Sequence, residues 1–107
     1  MRKVILNDLK SSSNIIGIYK LDFPNGKSYI GQSQNIFRRI SEHNRYAEQG
    51  HGTHNLQLCE KAIQKYGLIQ DFIILEENIP INKLDEKEAY WIKFYNTTNR
   101  DKGYNIT

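Results

Sequence analysis

Two short β-type runs, Gly17-Ile18-Tyr19 and Tyr29-Ile30-Gly31, flank the turn-forming stretch Phe23-Pro24-Asn25-Gly26-Lys27. Ile15 to Leu21 and Lys27 to Gln32 therefore predict a β-hairpin. Its register depends on the loop. A two-residue Asn-Gly loop would set Tyr19 and Tyr29 on opposite faces of the ribbon, because side chains alternate with period two. A three-residue loop puts them on the same face. Pro24 presets φ for the first corner of a type I turn, and Gly26 supplies the left-handed residue after it, which is the chemistry of the three-residue loop with a bulge. In that register Tyr19, Leu21, Tyr29 and Gly31 share a face, with Tyr19 opposite Gly31. Two phenols then lie beside a position without a side chain, a floor on which a ligand could rest.

Downstream, Ser33 to Asn35 supply capping residues before Ile36, and a helix is expected from about Asn35 to Glu48. Gly50-His51-Gly52 breaks the chain. Thr53 to Asn55 offer a second cap before a helix over Leu56 to Tyr66, in which Cys59, Ala62, Ile63 and Tyr66 line one face. Gly67 is its natural C-cap. The continuous apolar run Phe72-Ile73-Ile74-Leu75 predicts a third strand buried on both sides. Asn78 to Asn82, with Pro80, reads as a loop, and a third helix follows from about Lys83 to Tyr95. The tail Thr97 to Asp101 is turn-like and leads into Gly103-Tyr104-Asn105. Ahead of the hairpin, residues 1–14 suit a short leading strand and a linker carrying Ser11-Ser12-Ser13. The order hairpin, helix, helix, strand, helix predicts an α/β or α+β fold, a small three-stranded mixed or antiparallel sheet flanked by three helices.

A chain of 107 residues makes one small domain over its whole length, able to bury roughly two thirds of the surface its unfolded form exposes. One core is expected, not two. The net charge of +3 permits nucleic-acid binding without demanding it. Cys59 is the single cysteine, which excludes an internal disulfide and suits a reducing compartment. No apolar run approaches the ~20 residues that span a bilayer, and the N-terminus lacks a signal-peptide core. A cytoplasmic, membrane-free protein is the expectation.

Three places carry candidate chemistry. Arg39 and His43 are four apart on the first helix and lie nearly above one another. Ile36, Ile40 and Ala47 should face the sheet, leaving His43 and then Arg39 on the shoulder of that arc, at the rim of the core. A cation and an imidazole so placed can grip a phosphate. Arg38 and Arg45 point elsewhere and supply general attraction to a nucleic-acid backbone. In the third helix Leu84, Trp91, Ile92 and Tyr95 define the apolar stripe, and Glu88 projects inside it. A leucine buried there would contribute about 1.5–3 kcal/mol, whereas an unpartnered carboxylate costs several kcal/mol. A divalent cation, an arginine or a pocket open to water can each offset that cost, and a nearby phosphate-gripping arginine favours the cation. His51, His54 and Cys59 give only three candidate zinc ligands, with no Cys-x-x-Cys pair, so structural zinc is not expected. His54 remains a candidate phosphate contact.

Taken together these residues resemble the GIY-YIG nucleases, metal-dependent enzymes that hydrolyse DNA phosphodiesters and include homing endonucleases, restriction enzymes and repair nucleases. The two tripeptides begin their paired tyrosines ten residues apart, Tyr19 to Tyr29, and Arg39, His43, Glu88 and Gly103-Tyr104-Asn105 follow in the family's order. The match covers about residues 15 to 107. It implies the GIY-YIG nuclease fold and a divalent-metal-dependent DNA endonuclease of homing or free-standing phage or bacterial type. It further implies that Glu88 alone holds one divalent ion, Mg²⁺ or Mn²⁺, with waters and phosphate oxygen filling the rest of its coordination. Arg39 would stabilise the phosphate charge, and Tyr19 would take the proton of the attacking water. His43 would ease that step or accept the proton in turn. Tyr29 would hydrogen-bond the phosphate or the water, and Asn105 would brace the site from the C-terminal segment. Gly31 would let backbone and phosphate approach closely. A phenol with a pKa near ~10 is a sluggish base at neutral pH, so a nearby cation must help.

Without the resemblance, the residues leave open a module on the same fold that binds nucleic acid or another partner without hydrolysis, and a structural role with no nucleic acid. Homing enzymes of this family usually add a linker and a DNA-binding region after the nuclease domain, and this chain ends almost on Asn105. An isolated catalytic domain or a free-standing nuclease of weak sequence preference is expected, with specificity coming from few contacts, a missing DNA-binding domain or a partner. One active site cuts one strand. Double-strand cleavage then needs sequential nicking by a monomer or a DNA-induced dimer.

Overall fold

The computed structural model describes residues 1–6, 15–49 and 58–105. Four strands form one sheet in the order β1-β4-β2-β3, with β1 over Arg2–Ile5, β2 over Gly17–Asp22, β3 over Ser28–Ser33 and β4 over Asp71–Glu77. Every pairing is antiparallel. The three-stranded expectation is thus short by one: the leading segment contributes β1, which pairs with β4 from Arg2↔Ile74 to Ile5↔Asp71. The hairpin has the three-residue loop. Tyr19 pairs with Gly31 and Leu21 with Tyr29, Phe23 N–H bonds the Lys27 carbonyl at 3.0 Å, and Gly26 takes φ +87°.

Helix α1 spans Ile36–Gln49, α2 Leu58–Tyr66 and α3 Leu84–Tyr95. Asn35 caps α1, its Oδ1 accepting the Arg38 N–H at 3.1 Å. The expected break at Gly50-His51-Gly52, the cap at Thr53 to Asn55 and the first turn of the second helix from Leu56 lie outside the described residues. Pro80 leads into a 3-10 turn, Ile81–Lys83, rather than a plain loop, and α3 follows directly. Asn96 ends α3 in the left-handed conformation, where its N–H reaches the carbonyls of Ile92 and Lys93.

Helices cover both faces of the sheet. Ile36, Phe37, Ile40 and Ala47 from α1 and Cys59, Ala62 and Ile63 from α2 pack with Tyr19, Leu21, Phe72 and Ile74 into the larger core. On the other face Leu84 of α3 joins Ile18, Ile30 and Leu75 in a smaller one, with Trp91, Ile92 and Tyr95 only partly buried against it. β4 sits between β1 and β2 and contributes to both cores, which explains its unbroken apolar run. Strand β3 is at the sheet edge, and the C-terminal segment covers it: Ser28 N–H bonds the Lys102 carbonyl and Tyr104 N–H bonds the Ser28 carbonyl. That seals an edge otherwise open to pairing. Among the described residues no helix is long and apolar enough to cross a membrane.

Candidate active site

The hairpin register decides where the two phenols go. Tyr19 and Tyr29 project from one face with ring centroids 6.4 Å apart, and the His43 ring from α1 stands edge-on to both, at 6.0 and 5.6 Å. Tyr19 Oη and His43 Nε2 are 2.7 Å apart, a hydrogen bond between two side chains each 1% exposed. His43 is therefore inside the core and not at its rim. The helical arc of Ile36, Ile40 and Ala47 includes it, and a polar ring is tolerated there because both its nitrogens are engaged. Gly31 also differs from its expected use. A Cβ built on Gly31 would stand 2.3 Å from Cζ and Oη of Tyr19. The vacant side of this glycine holds the Tyr19 ring, so the floor for a ligand is already taken by one of the phenols meant to line it.

The second nitrogen of His43 meets a residue that the sequence pattern did not reveal. Glu60 Oε2, from the first turn of α2, lies 2.5 Å from His43 Nδ1, and Glu60 is 5% exposed. Cys59 Sγ is 3.9 Å from the same nitrogen. Glu60 lies one step round the helix from the apolar arc of Cys59, Ala62 and Ile63, and no spacing rule links it to a histidine seventeen positions earlier. Only the packing of α1 on α2 does so. His43, Cys59 and Glu60 also form a group of potential metal donors, with ligand atoms all within 4.8 Å of one another. Of the residues checked for zinc, Cys59 alone belongs to it, since His51 and His54 lie outside the described residues.

Burial pushes the hydroxyls of both tyrosines up, Tyr19 well above the ordinary phenol range; Tyr29 adds to the rise of Tyr19 and Cys59 to that of Tyr29, while Arg39 pulls both in the opposite direction. The sign for stability follows. A phenol held protonated in the fold while the unfolded chain ionises near pH ~10 makes stability fall as pH rises past that point. Melting temperature measured against pH should drop above that range in the parent protein, and Tyr29→Phe should flatten the drop.

Arg39 is half-buried, and its charge acts on Tyr19, Tyr29 and Glu60. Its Nη1 is 3.5 Å from Glu42 Oε1, and Arg38 Nε is 3.5 Å from the other oxygen of the same carboxylate. Both arginines line a cleft of about 300 Å³ with Ser33, Gln34, Asn35 and Glu42, beside the capped start of α1. Arg45 is exposed further along α1, over the Tyr46 ring at 5.4 Å. His54 lies outside the described residues.

Glu88 comes from the opposite layer. It is half-exposed, not at a core position, because α3 packs near the sheet edge and covers little of its own stripe beyond Leu84. Gln32 on β3 donates from Nε2 to Asp85 Oδ1 at 2.6 Å and lies 3.4 Å from Glu88 Oε1. Burial first and the neighbouring Asp85 second raise the Glu88 carboxyl above its usual range, against the hydrogen bonding of Gln32. Asp85 is exposed but shares Gln32 with Glu88. Arg39 eases, and Glu88 opposes, ionisation of either phenol.

Asn105 serves the backbone. Its Oδ1 accepts the Ile30 N–H and its Nδ2 donates to the Ile30 carbonyl, both at 2.8 Å. The amide fixes the centre of β3 between Tyr29 and Gly31, and Arg100 bonds the Asn105 carbonyl from the tail. Gly103 is required by contact, since a Cβ there would stand 2.5 Å from the Thr97 carbonyl oxygen.

Tyr19, Tyr29, Arg39 and His43 thus lie on the α1 side of the hairpin, and Glu88 lies on the α3 side. A family model of the GIY-YIG catalytic domain matches residues 15–105. Among solved structures the chain is similar to the catalytic domain of the intron endonuclease I-TevI, in a mutant form, at 30% identity over 87% of this chain and 94% of that one, with a TM-score of 0.72. None of the curated proteins matches it. The chain belongs to the GIY-YIG family of nucleases.

Proposed function

We propose that the protein is a divalent-metal-dependent DNA endonuclease. The observation that carries this reading is the hairpin register that sets Tyr19 and Tyr29 side by side, ring centroids 6.4 Å apart, with Tyr19 bonded to His43, in a chain of the GIY-YIG family. Phosphodiester hydrolysis needs an activated water, compensation of transition-state charge, and stabilisation of the leaving oxygen. Glu88 suits a hard cation: it is a half-exposed carboxylate with Asp85 adding negative charge beside it, and Mg²⁺ or Mn²⁺ takes one or two carboxylates and fills its shell with water and phosphate oxygen. A bound ion supplies Lewis-acid stabilisation of the phosphate and the leaving oxygen.

The remaining roles fall to the chain itself. Arg39 compensates phosphate charge at the mouth of the cleft it shares with Arg38, and Arg45 adds general attraction to the DNA backbone. Tyr29, the less deeply buried phenol, hydrogen-bonds the phosphate or the attacking water. Tyr19 takes the water's proton while passing its own to His43 Nε2. This transfer avoids a free phenolate, which burial makes costly. The water oxygen bonds to phosphorus as the bond to the leaving oxygen breaks. The leaving alkoxide takes a proton from solvent, and His43 later returns one, so each turnover consumes one water. Asn105 positions the strand that carries Tyr29.

Supercoiled plasmid incubated with the protein and Mg²⁺ should convert to nicked or linear forms, and EDTA should stop the conversion. Salt-sensitive retention of DNA in a gel with intact plasmid in Mg²⁺ and in Mn²⁺ would instead identify a non-hydrolytic binding module.

A further inference from the structure

We propose that Glu60 is a positioning residue of the cleavage reaction, a buried carboxylate that holds His43 in the tautomer able to accept the Tyr19 proton. The proposal rests on the nuclease reading and deepens it. The chain of contacts is continuous: Glu60 Oε2 to His43 Nδ1 at 2.5 Å, then His43 Nε2 to Tyr19 Oη at 2.7 Å. All three residues are nearly inaccessible, at 5%, 1% and 1% exposure.

Tautomer logic sets the direction of the proton. A neutral imidazole carries one N–H, and which nitrogen bears it is fixed by the partner of the other. An ionised carboxylate only accepts, so Glu60 demands the proton on Nδ1. Nε2 is then bare and faces the Tyr19 hydroxyl. When Tyr19 gives up its proton the ring becomes an imidazolium, and its new positive charge forms beside the Glu60 carboxylate instead of in an apolar core. A buried acid, imidazole and hydroxyl in this order follow the same division of labour as a Ser-His-Asp triad, where the acid orients and stabilises without itself taking the proton. Here the hydroxyl is a phenol that relays a water's proton rather than a nucleophile.

The surroundings fit this role. Glu60 sits in the first turn of α2, where the helix dipole favours a negative charge. Among the described residues the groups facing His43 include Tyr19 from β2, Tyr29 from β3, Cys59 and Glu60 from α2, and Arg39 one turn earlier on α1, whose charge also acts on Glu60. Burial drives the Cys59 thiol far up, so it adds no charge at neutral pH. Glu60 is the one carboxylate in direct contact with the ring among the described residues. A metal ion held by His43, Cys59 and Glu60 is the competing use of this cluster, and the metal-retention test below decides between the two.

Two measurements decide the matter. Imidazole nitrogen–proton NMR of the metal-free parent protein should show His43 with Nδ1 protonated and Nε2 bare at the pH of cleavage. A bare Nδ1, a doubly protonated ring, or a stoichiometric metal ion retained by the purified protein and lost in Cys59→Ser would each overturn the proposal. In plasmid nicking, Glu60→Gln should slow single-turnover cleavage on the order of 10²–10⁴-fold with little change in KM. Parental rate would overturn it. Should the parent protein fail to cut any DNA, the nuclease reading fails by itself and the NMR tautomer still rules on Glu60. The same spectrum serves if Glu60→Gln does not fold.

Discussion

Glu88→Gln is expected to abolish plasmid cleavage, by on the order of 10³-fold or more, while leaving the protein folded, able to retain DNA and slightly more heat-stable than its parent. The stability gain follows from the sign of the shift. Burial and Asp85 hold the Glu88 carboxyl above its usual range, so between the ordinary carboxylate pKa of ~4.3 and the raised value the fold binds more protons than the unfolded chain, and stability falls as pH rises through that window. A neutral glutamine escapes that cost. The melting temperature of Glu88→Gln in EDTA should exceed the parent's at pH 7, and the gap should close at pH values below the titration of free carboxylates. Mg²⁺ reverses the order. A ligand that binds only the folded parent stabilises it, by about 2.7 kcal/mol at a hundredfold excess over Kd, and the variant should show no such response. A Glu88→Gln protein that cuts at the parental rate, or whose melting point rises with Mg²⁺ as the parent's does, removes Glu88 from the metal assignment.

Local chemistry made much of this arrangement legible in the sequence. Pro24 and Gly26 specify the loop, the loop sets the register, and the register places Tyr19 across from Gly31. The apolar run from Phe72 to Leu75 marked the strand with a core on each side. Periodicity was less informative where burial is partial. It drew Glu88 inside a stripe, yet α3 covers only Leu84 fully, because a helix at the edge of a sheet has nothing to bury the rest of its apolar face against. His43 shows the reverse error, a residue assigned to the rim that turns out fully buried. Its burial depends on Glu60, and a hydrogen bond between two helices seventeen residues apart leaves no trace in either helix's own pattern. The leading segment reads as a short strand, but its place in the sheet is hidden for a related reason. Arg2–Ile5 is mostly exposed and carries a single buried side chain, Val4, so it pairs with β4 through its backbone and shows little alternation.

Gly31→Ala is expected to be nearly as damaging to activity as loss of Glu88, through a different cause. The methyl would stand 2.3 Å from the end of the Tyr19 ring. An exposed side chain would swing aside, but this ring is 1% exposed and bonded through its hydroxyl to His43. Overpacking of such a position typically costs about 1–3 kcal/mol, and relief by tilting the ring would break the hydrogen bond on which the proton transfer depends. The variant should therefore lose both stability and cleavage. A double-mutant cycle locates the cause. In a Tyr19→Ala background the clash has no partner, so adding Gly31→Ala should cost far less stability than it does in the parent, giving a coupling of about 1 kcal/mol or more. If Gly31 instead matters because a phosphate must approach the strand closely, Gly31→Ala would weaken DNA cleavage with unchanged urea midpoint and no coupling to Tyr19. The two explanations give opposite results in one experiment, and the contact between Gly31 and the Tyr19 ring favours the first.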